Sequence, residues 1–446
     1  MASAQAADVP APPPHSGLAS IYAALQRRRK AFDTTRIAVV GAGLAGLNAA
    51  FFLRQAGCSV TVYEAASRVG GRVQTDFGQI ETGLVSELGG EFIDSTHLDM
   101  LALAEHFGLP VIDTHQASED ALADAYFIGG RSYSESDVAR EFALVAPLLA
   151  TDARSLPGRV THREHDPHTL ALDRLSIAEY LDRLGVSGWL RKLIDVAYLT
   201  EYGLETGEQS CLNLLTLIGT DTQADFTVFG ESDQRYKIRG GNEQITQALA
   251  SELAANIELD SPLVRLRRDA RGVHLTLDTP QGAAREIQAD AVVLALPFTL
   301  LRRVDLGDAL PPEKLRVIRE LGYGQNAKLL IGTRSRVWRG HGFGGDMYSD
   351  LPFQTGWDGS RLREGERGVY TFYLGGDAGT ALGQGTPEEH ARRFAGQLDA
   401  VFPGVAIQRT ASAARAHWPS EPYALGSYTC YRPAQQTTFG GMEATP

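Results

Sequence analysis

Cysteine is scarce in this chain: Cys58, Cys211 and Cys430 are all there are among 446 residues. They show no CxxC spacing, which excludes a cysteine zinc cluster and a disulfide framework. A reducing compartment, and so a cytoplasmic location, is the expectation. No metal site is expected. No apolar run approaches the roughly 18 residues of a membrane-crossing helix. Cations are outnumbered, with 42 Lys and Arg against 54 Asp and Glu, a formal net charge of −12. That balance argues against a general nucleic-acid or anionic-membrane surface. An anionic ligand would need local positive charge. One basic run, Arg27-Arg28-Arg29-Lys30, has the look of a twin-arginine export signal. The next apolar stretch, Ile37-Ala38-Val39-Val40, opens the motif described below, and cleavage there would destroy it. The run is therefore read as a solvated helix face.

What is present suits a multidomain globular protein. Hydrophobic residues make up 43% and charged residues 22%, and the length allows two or three domains. Residues 1–15 are rich in Ala and Pro and read as a disordered tail. Residues 16–35 carry a helical pattern. A strand is expected over Arg36–Val40, a helix to about Gln55, and a second strand over Ser59–Tyr63. Helices are expected over Leu98–Phe107, Val138–Leu149, Ile177–Leu184, Glu243–Leu253 and Pro387–Phe402. Strands are expected over Ile257–Leu259, Leu263–Asp269, Val273–Asp278, Ala291–Leu296, 327–333 and 368–374.

The first strand and helix flank Gly41, Gly43 and Gly46, a G-x-G-x-x-G fingerprint in its proper strand–turn–helix setting. Gly41 permits the tight turn, Gly43 a close backbone approach to a pyrophosphate, and Gly46 close helix–strand packing. The phosphates would face the positive end of the helix. Glu64 closes the second strand at the spacing of a ribose-binding carboxylate, and it would repel a 2′-phosphate, which argues against NADP. The fingerprint alone leaves NAD and FAD open.

The next residues, AASRVGGRVQT, place Arg68, Gly70, Gly71 and Arg72 in an R-x-G-G-R pattern. This resembles the FAD-binding start of the flavin-dependent amine oxidase superfamily, the group of monoamine oxidases, polyamine oxidases and L-amino acid oxidases. Arg72 offers a fork of donors to the pyrophosphate. Further segments resemble that family in order: ELGGEFID with Gly89, Gly90 and Glu91 beside the flavin ring, KIRGGNEQITQAL from Lys237, SPLVRLRR with Val264 meeting the adenine, and ADAVVLALPFTLL from Ala289. The resemblance implies non-covalent FAD, because Ser427 stands where mitochondrial monoamine oxidases carry the flavin-linking cysteine, and Cys430 is three residues away.

It also implies catalytic roles. Lys328, in LGYGQNAKLLIGT, would reach the flavin N5 through a water. Trp418 and Tyr428, in HWPSEPYALGSYTCYRPAQ, would form an aromatic slot over the flavin. The implied reaction is oxidative deamination of a small amine or L-amino acid to an imine, then to an aldehyde or 2-oxo acid and ammonia, with molecular oxygen reduced to hydrogen peroxide. Glu91, Asp94 and Glu201 could attract a basic substrate or could be structural charges. Arg339 and Arg361 are candidate partners for a substrate carboxylate. The substrate stays open.

The expected fold class is mixed α/β, a Rossmann-type FAD-binding domain interleaved with a substrate domain of β-sheet plus helices. Residues 36–96, 230–300 and 411–446 are assigned to the former, and 97–229 and 301–410 to the latter. Relatives usually continue past the equivalent of Pro446 with a segment that closes on the FAD. The expectation is either a truncated or processed product or a second chain that carries that segment; a homodimer is the other partner expectation. Two other readings stand beside the oxidase: a flavin dehydrogenase or desaturase of the same fold, and a non-catalytic FAD-fold binding protein.

Overall fold

The computed structural model describes residues 35–221, 227–279 and 282–445. The helical pattern over residues 16–35 and the tail over 1–15 therefore fall almost wholly outside the described residues. The chain folds around two separate sheets. The first has four parallel strands in the order Ala291–Leu294, Arg36–Val40, Ser59–Tyr63, Ile257–Glu258. Its centre is the β-branched run of Arg36–Val40, where Val39 and Val40 are buried. The helix Leu44–Gln55 covers one face and buries Leu47, Ala50 and Phe51, which recur at helical spacing. An antiparallel sheet of Leu263–Asp269, Gly272–Leu277 and Arg285–Ala289 packs a second apolar cluster, with Ala38 and Val40, on the other face of the parallel sheet.

The second sheet has seven strands, in the order Arg409–His417, Ala327–Thr333, Gly368–Leu374, Thr355–Asp358, Phe343–Ser349, Ala123–Ile128, Arg131–Tyr133. Its strand Ala327–Thr333, second from one edge, is buried along its whole length, Lys328 included. This sheet places residues 411–417 differently from the sequence expectation. They pair antiparallel with Ala327–Thr333 and so join the seven-stranded sheet, not the parallel one. Sequence offers no register, and the alternation of Arg409–His417 fits either sheet.

Helices 135–215 form a third, mostly apolar body. The helix expected over 138–149 is broken in two, Glu135–Phe142 and Ala146–Ser155. Pro147 explains the break. It lacks an N–H and would clash with the carbonyl four residues earlier inside a continuous helix, but it is well placed in the first turn of a new one. Capping boxes Ser134/Asp137, Ser176/Glu179 and Thr386/Glu389 fix three helix starts. The long helix Gly188–Tyr202 stops at Gly203, whose φ is 74°. A Cβ there would lie 2.0 Å from Asn326 Oδ1, so glycine is required. This stop leaves the last turn, Thr200 to Tyr202, in the wall of the cavity described next. Among the described residues no helix is long and apolar enough to cross a membrane.

Candidate active site

A cavity of about 1030 Å³ runs from the Gly-rich turn of the parallel sheet to the seven-stranded sheet. At its first end the two glycine motifs clasp each other. Gly43 and Gly70 form a parallel bridge, and Gly70 N–H donates to Ala42 O at 2.9 Å. Gly41 has φ 104°, and a Cβ would lie 2.7 Å from Ala295 O. A Cβ on Gly46 would lie 1.9 Å from Gly41 O. Gly43 differs: its nearest neighbour is Gly71 Cα at 3.8 Å, so the space in front of it is open. Gly41 and Gly46 are thus held by close backbone neighbours, and of the three Gly43 alone faces open space. Glu64 accepts from Ala42 N–H at 2.6 Å and Ala66 N–H at 2.9 Å and lines the cavity, with lone pairs left for hydroxyls.

Arg68 donates to Val69 O and Gly71 O and so braces the loop. Arg72 extends into the cavity and donates to the Ser427 carbonyl. Burial lowers its pKa from the usual arginine value. The guanidinium is open to the cavity yet surrounded by protein, a setting that favours an anionic partner. Gly89 and Gly90 also line the wall, but for different reasons. A Cβ on Gly89 would lie 2.0 Å from Arg72 O, whereas Gly90 has nothing within 4 Å. Only Gly90 has open clearance. Val264 is not brought in. It is 40% exposed, is not part of the cavity wall, and its carbonyl accepts from Asp305 N–H.

At the other end Lys328 is buried in the strand Ala327–Thr333, opposite Tyr373 on one side and Ala416 on the other. Its ammonium donates to Glu87 O at 3.1 Å, Gly89 O at 2.9 Å and Glu91 Oε2 at 2.7 Å. An ammonium has three donors, so all are committed. A water between Lys328 and a bound flavin would therefore share or replace one of these three partners. Glu91 also accepts from Lys237 Nζ at 2.6 Å. Burial opposes its charge, but Lys237 and Lys328 outweigh burial and hold the carboxyl down to about 2. Glu91 is thus a structural counter-ion and not free to attract a basic substrate. Glu87 accepts from Asn242 N–H and Thr75 Oγ1, and burial pushes it up to about 7.

The aromatic wall is broader than the sequence suggested. Trp418 and Tyr428 both line the cavity. The segment 322–326 pairs with 427–430, through Ser427 N–H to Gly324 O and Gly324 N–H to Tyr428 O, which carries Tyr428 to the Lys328 strand. Its hydroxyl lies 2.6 Å from that of Tyr373. Burial, and then the Tyr373 and Glu201 charges, raise Tyr428 well above the ordinary tyrosine range. Trp357 packs between Phe92, at 5.5 Å between ring centroids, and Tyr373, at 5.4 Å, and Lys328 lies over its face at 5.2 Å. Sequence reasoning missed Phe92, Trp357, Tyr373 and the role of Lys237. Tyr373 and Trp357 lie on strands where alternation predicts only that some side chains face the same way.

Of the acids named from sequence, Asp94 accepts from Gln234 N–H and faces His97. Glu201 lines the cavity and makes no hydrogen bond or ion pair among the described residues. Arg339 and Arg361 do not line it. Arg339 makes two bonds to Glu119, at 2.8 and 2.9 Å, and Arg361 is paired with Asp346. Ser427 Oγ is committed to Asn326 Oδ1 at 2.6 Å, and Cys430 is buried beside Asn213. No group of three His, Cys, Asp or Glu that could hold a metal occurs among the described residues.

A family model described as flavin containing amine oxidoreductase matches residues 44–445. The chain is 29% identical over 339 residues to AofH of Mycobacterium tuberculosis, which carries a flavin-containing monoamine oxidase name; the match covers 71% of this chain and 69% of that protein. It is 25% identical over 427 residues to an L-amino-acid oxidase of Pseudechis australis, covering 92% and 80%. The solved structure of a putrescine oxidase bound to putrescine superposes with a TM-score of 0.78 at 20% identity, covering 93% of this chain and 91% of that one. At that identity the likeness is one of fold.

Proposed function

The chain belongs to the flavin-containing amine oxidoreductase family, and from that premise we propose that it is an FAD-dependent oxidase of an amine or L-amino acid. The products are an imine, which water converts to an aldehyde or 2-oxo acid and ammonia, and hydrogen peroxide. The observation that carries this reading is the single cavity wall shared by the Gly-rich turn, Arg72, Lys328 and the Tyr373–Tyr428 pair. The open space before Gly43 and Gly90 fits a large dinucleotide. When bound, FAD would accept a hydride equivalent from the carbon bearing the nitrogen, leaving the C=N of the imine, and would pass the two electrons to oxygen.

The chain's own residues bind, orient and exclude. The turn Gly41–Gly46 and Arg72 would hold the phosphates. Glu64 would accept from the ribose. Tyr373, Tyr428, Trp357 and Trp418 confine the amine and keep bulk water from the reacting carbon. Lys237, Lys328 and Glu91 carry one net positive charge between them. Fixed in a buried site, that charge favours negative charge developing nearby without reorganisation. The parallel sheet and its neighbour form the cofactor-holding half, and the seven-stranded sheet the substrate-facing half. Attachment is non-covalent, because the hydroxyl of Ser427 is committed and Cys430 is buried away from the cavity wall.

The test is purification with a visible-range spectrum, acid or urea release of flavin, and a peroxide assay across L-amino acids, monoamines and polyamines. The reading expects a yellow protein, flavin freed on unfolding, and peroxide with at least one substrate class. A flavin-loaded protein whose flavin is bleached by an amine without peroxide release would point to a dehydrogenase. A colourless protein that takes up no FAD would remove the oxidase reading.

A further inference from the structure

The helix Gly188–Tyr202 points its C-terminal end at the cavity. Unsatisfied carbonyls give such an end partial negative charge, which favours a cation. Glu201 stands in that last turn. Every other acid considered above is engaged: Glu64 by backbone N–H groups, Glu91 by two lysines, Asp94 by Gln234 N–H, Asp346 by Arg361. Glu201 alone of that set has no partner among the described residues. Burial, and the nearby Asp94 carboxylate, push it up to about 7, the mark of a carboxylate that lacks a counter-ion. Tyr348, Tyr373 and Tyr428 are raised chiefly by burial, and the Glu201 charge adds to each. Their electron-rich faces also suit a cation.

We propose that Glu201 receives a second positive group of the substrate, so that the enzyme selects amines carrying a distal ammonium or guanidinium beyond the nitrogen that is oxidised. This rests on the oxidase reading and narrows it. Two sources share that chemistry, α,ω-diamines and basic L-amino acids. The ion-paired state of Arg339 and Arg361 leaves neither free for a substrate carboxylate, and both sources are carried into the test.

The test is anaerobic titration of the FAD-loaded protein, reading the flavin spectrum and calorimetric binding. The probes are 1,4-diaminobutane against n-pentylamine, and L-arginine and L-lysine against L-norleucine. At least one probe with a distal positive group is expected to bind about tenfold or more tighter than its counterpart without one. In Glu201→Gln, which preserves shape, that ratio falls to near one, and Glu201→Asp restores part of it. A diamine preference alone, a basic amino acid preference alone, or both would each support the proposal and identify the source. Equal affinity in the wild type, no binding of any probe with a distal positive group, or a ratio unchanged in Glu201→Gln would overturn it. If such probes bind through Glu201 yet no probe bleaches the flavin, the oxidase reading fails while the cation site stands.

Discussion

Glu91 Oε2 lies 2.7 Å from Lys328 Nζ, with side-chain exposures of only 2% and 5%. Lys237 completes the arrangement on the other carboxylate oxygen. Removing one partner of a buried pair typically costs about 3–5 kcal/mol, because the survivor is left uncompensated. Here the three members are not equivalent. Glu91→Gln leaves two buried ammoniums facing each other's field, whereas Lys328→Met leaves a neutral Glu91–Lys237 pair. Glu91→Gln should therefore destabilise the protein more than Lys328→Met. Urea midpoints of the two variants, measured on flavin-loaded protein, check the order, and equal midpoints would contradict it.

Lys328→Met bears on oxygen as well. The variant should keep its yellow flavin but, once reduced, reoxidise more slowly by roughly 10²-fold, the scale on which a fixed electrostatic donor acts in a buried site. Mixing the anaerobically reduced variant with oxygenated buffer reads this directly. An unchanged reoxidation rate would remove Lys328 from the mechanism.

The carboxyl shifts predict opposite limbs of a stability profile. Glu91 is held down to about 2, against an ordinary value of 4.5. Its contribution is present above 4.5 and is lost as pH falls through 2. Glu87 and Glu201 are raised to about 7. The folded form then binds more protons than the unfolded one between 4.5 and 7, so stability declines as pH rises through that interval. Each group contributes roughly 1–3 kcal/mol of decline. Glu201→Gln should flatten part of the fall and be more stable than wild type at pH 8 than it is at pH 5. Urea unfolding at the two pH values checks this, and parallel profiles would refute it.

The glycines separate fold from cofactor. Gly46→Ala and Gly89→Ala place a Cβ 1.9 Å and 2.0 Å from backbone oxygens and should damage folding itself. Gly43 has φ −74°, which alanine adopts freely, and open space in front. Gly43→Ala should keep a wild-type circular dichroism spectrum while flavin occupancy falls. Normal FAD content in that variant would show that Gly43 is not where the pyrophosphate approaches.

Local features were legible because their causes are local. The strand Arg36–Val40, the helix beginning at Leu44 and the spacing of Gly41, Gly43 and Gly46 all lie within twenty residues, and periodicity with turn chemistry specifies them. Pro147 could have been read as a helix start, since its effect is equally local. The course of Arg409–His417 could not, because a short alternating strand is compatible with either sheet until its partner is known.

The sequence by itself determined the dinucleotide turn, the R-x-G-G-R clasp and the lysine and aromatic residues worth watching. Tertiary structure decided what each charge does. Glu91 and Lys328 are 237 positions apart and Tyr428 and Thr200 are 228 apart, so no short-range pattern joins them. Only the folded chain shows that Lys328 donates to three protein oxygens, that Glu91 pairs with two lysines and that Glu201 has no hydrogen bond or ion pair among the described residues. The physical reason is that the fate of a buried charge is set by which groups reach within about 3–4 Å of it, and those groups are assembled by packing, not by spacing along the chain.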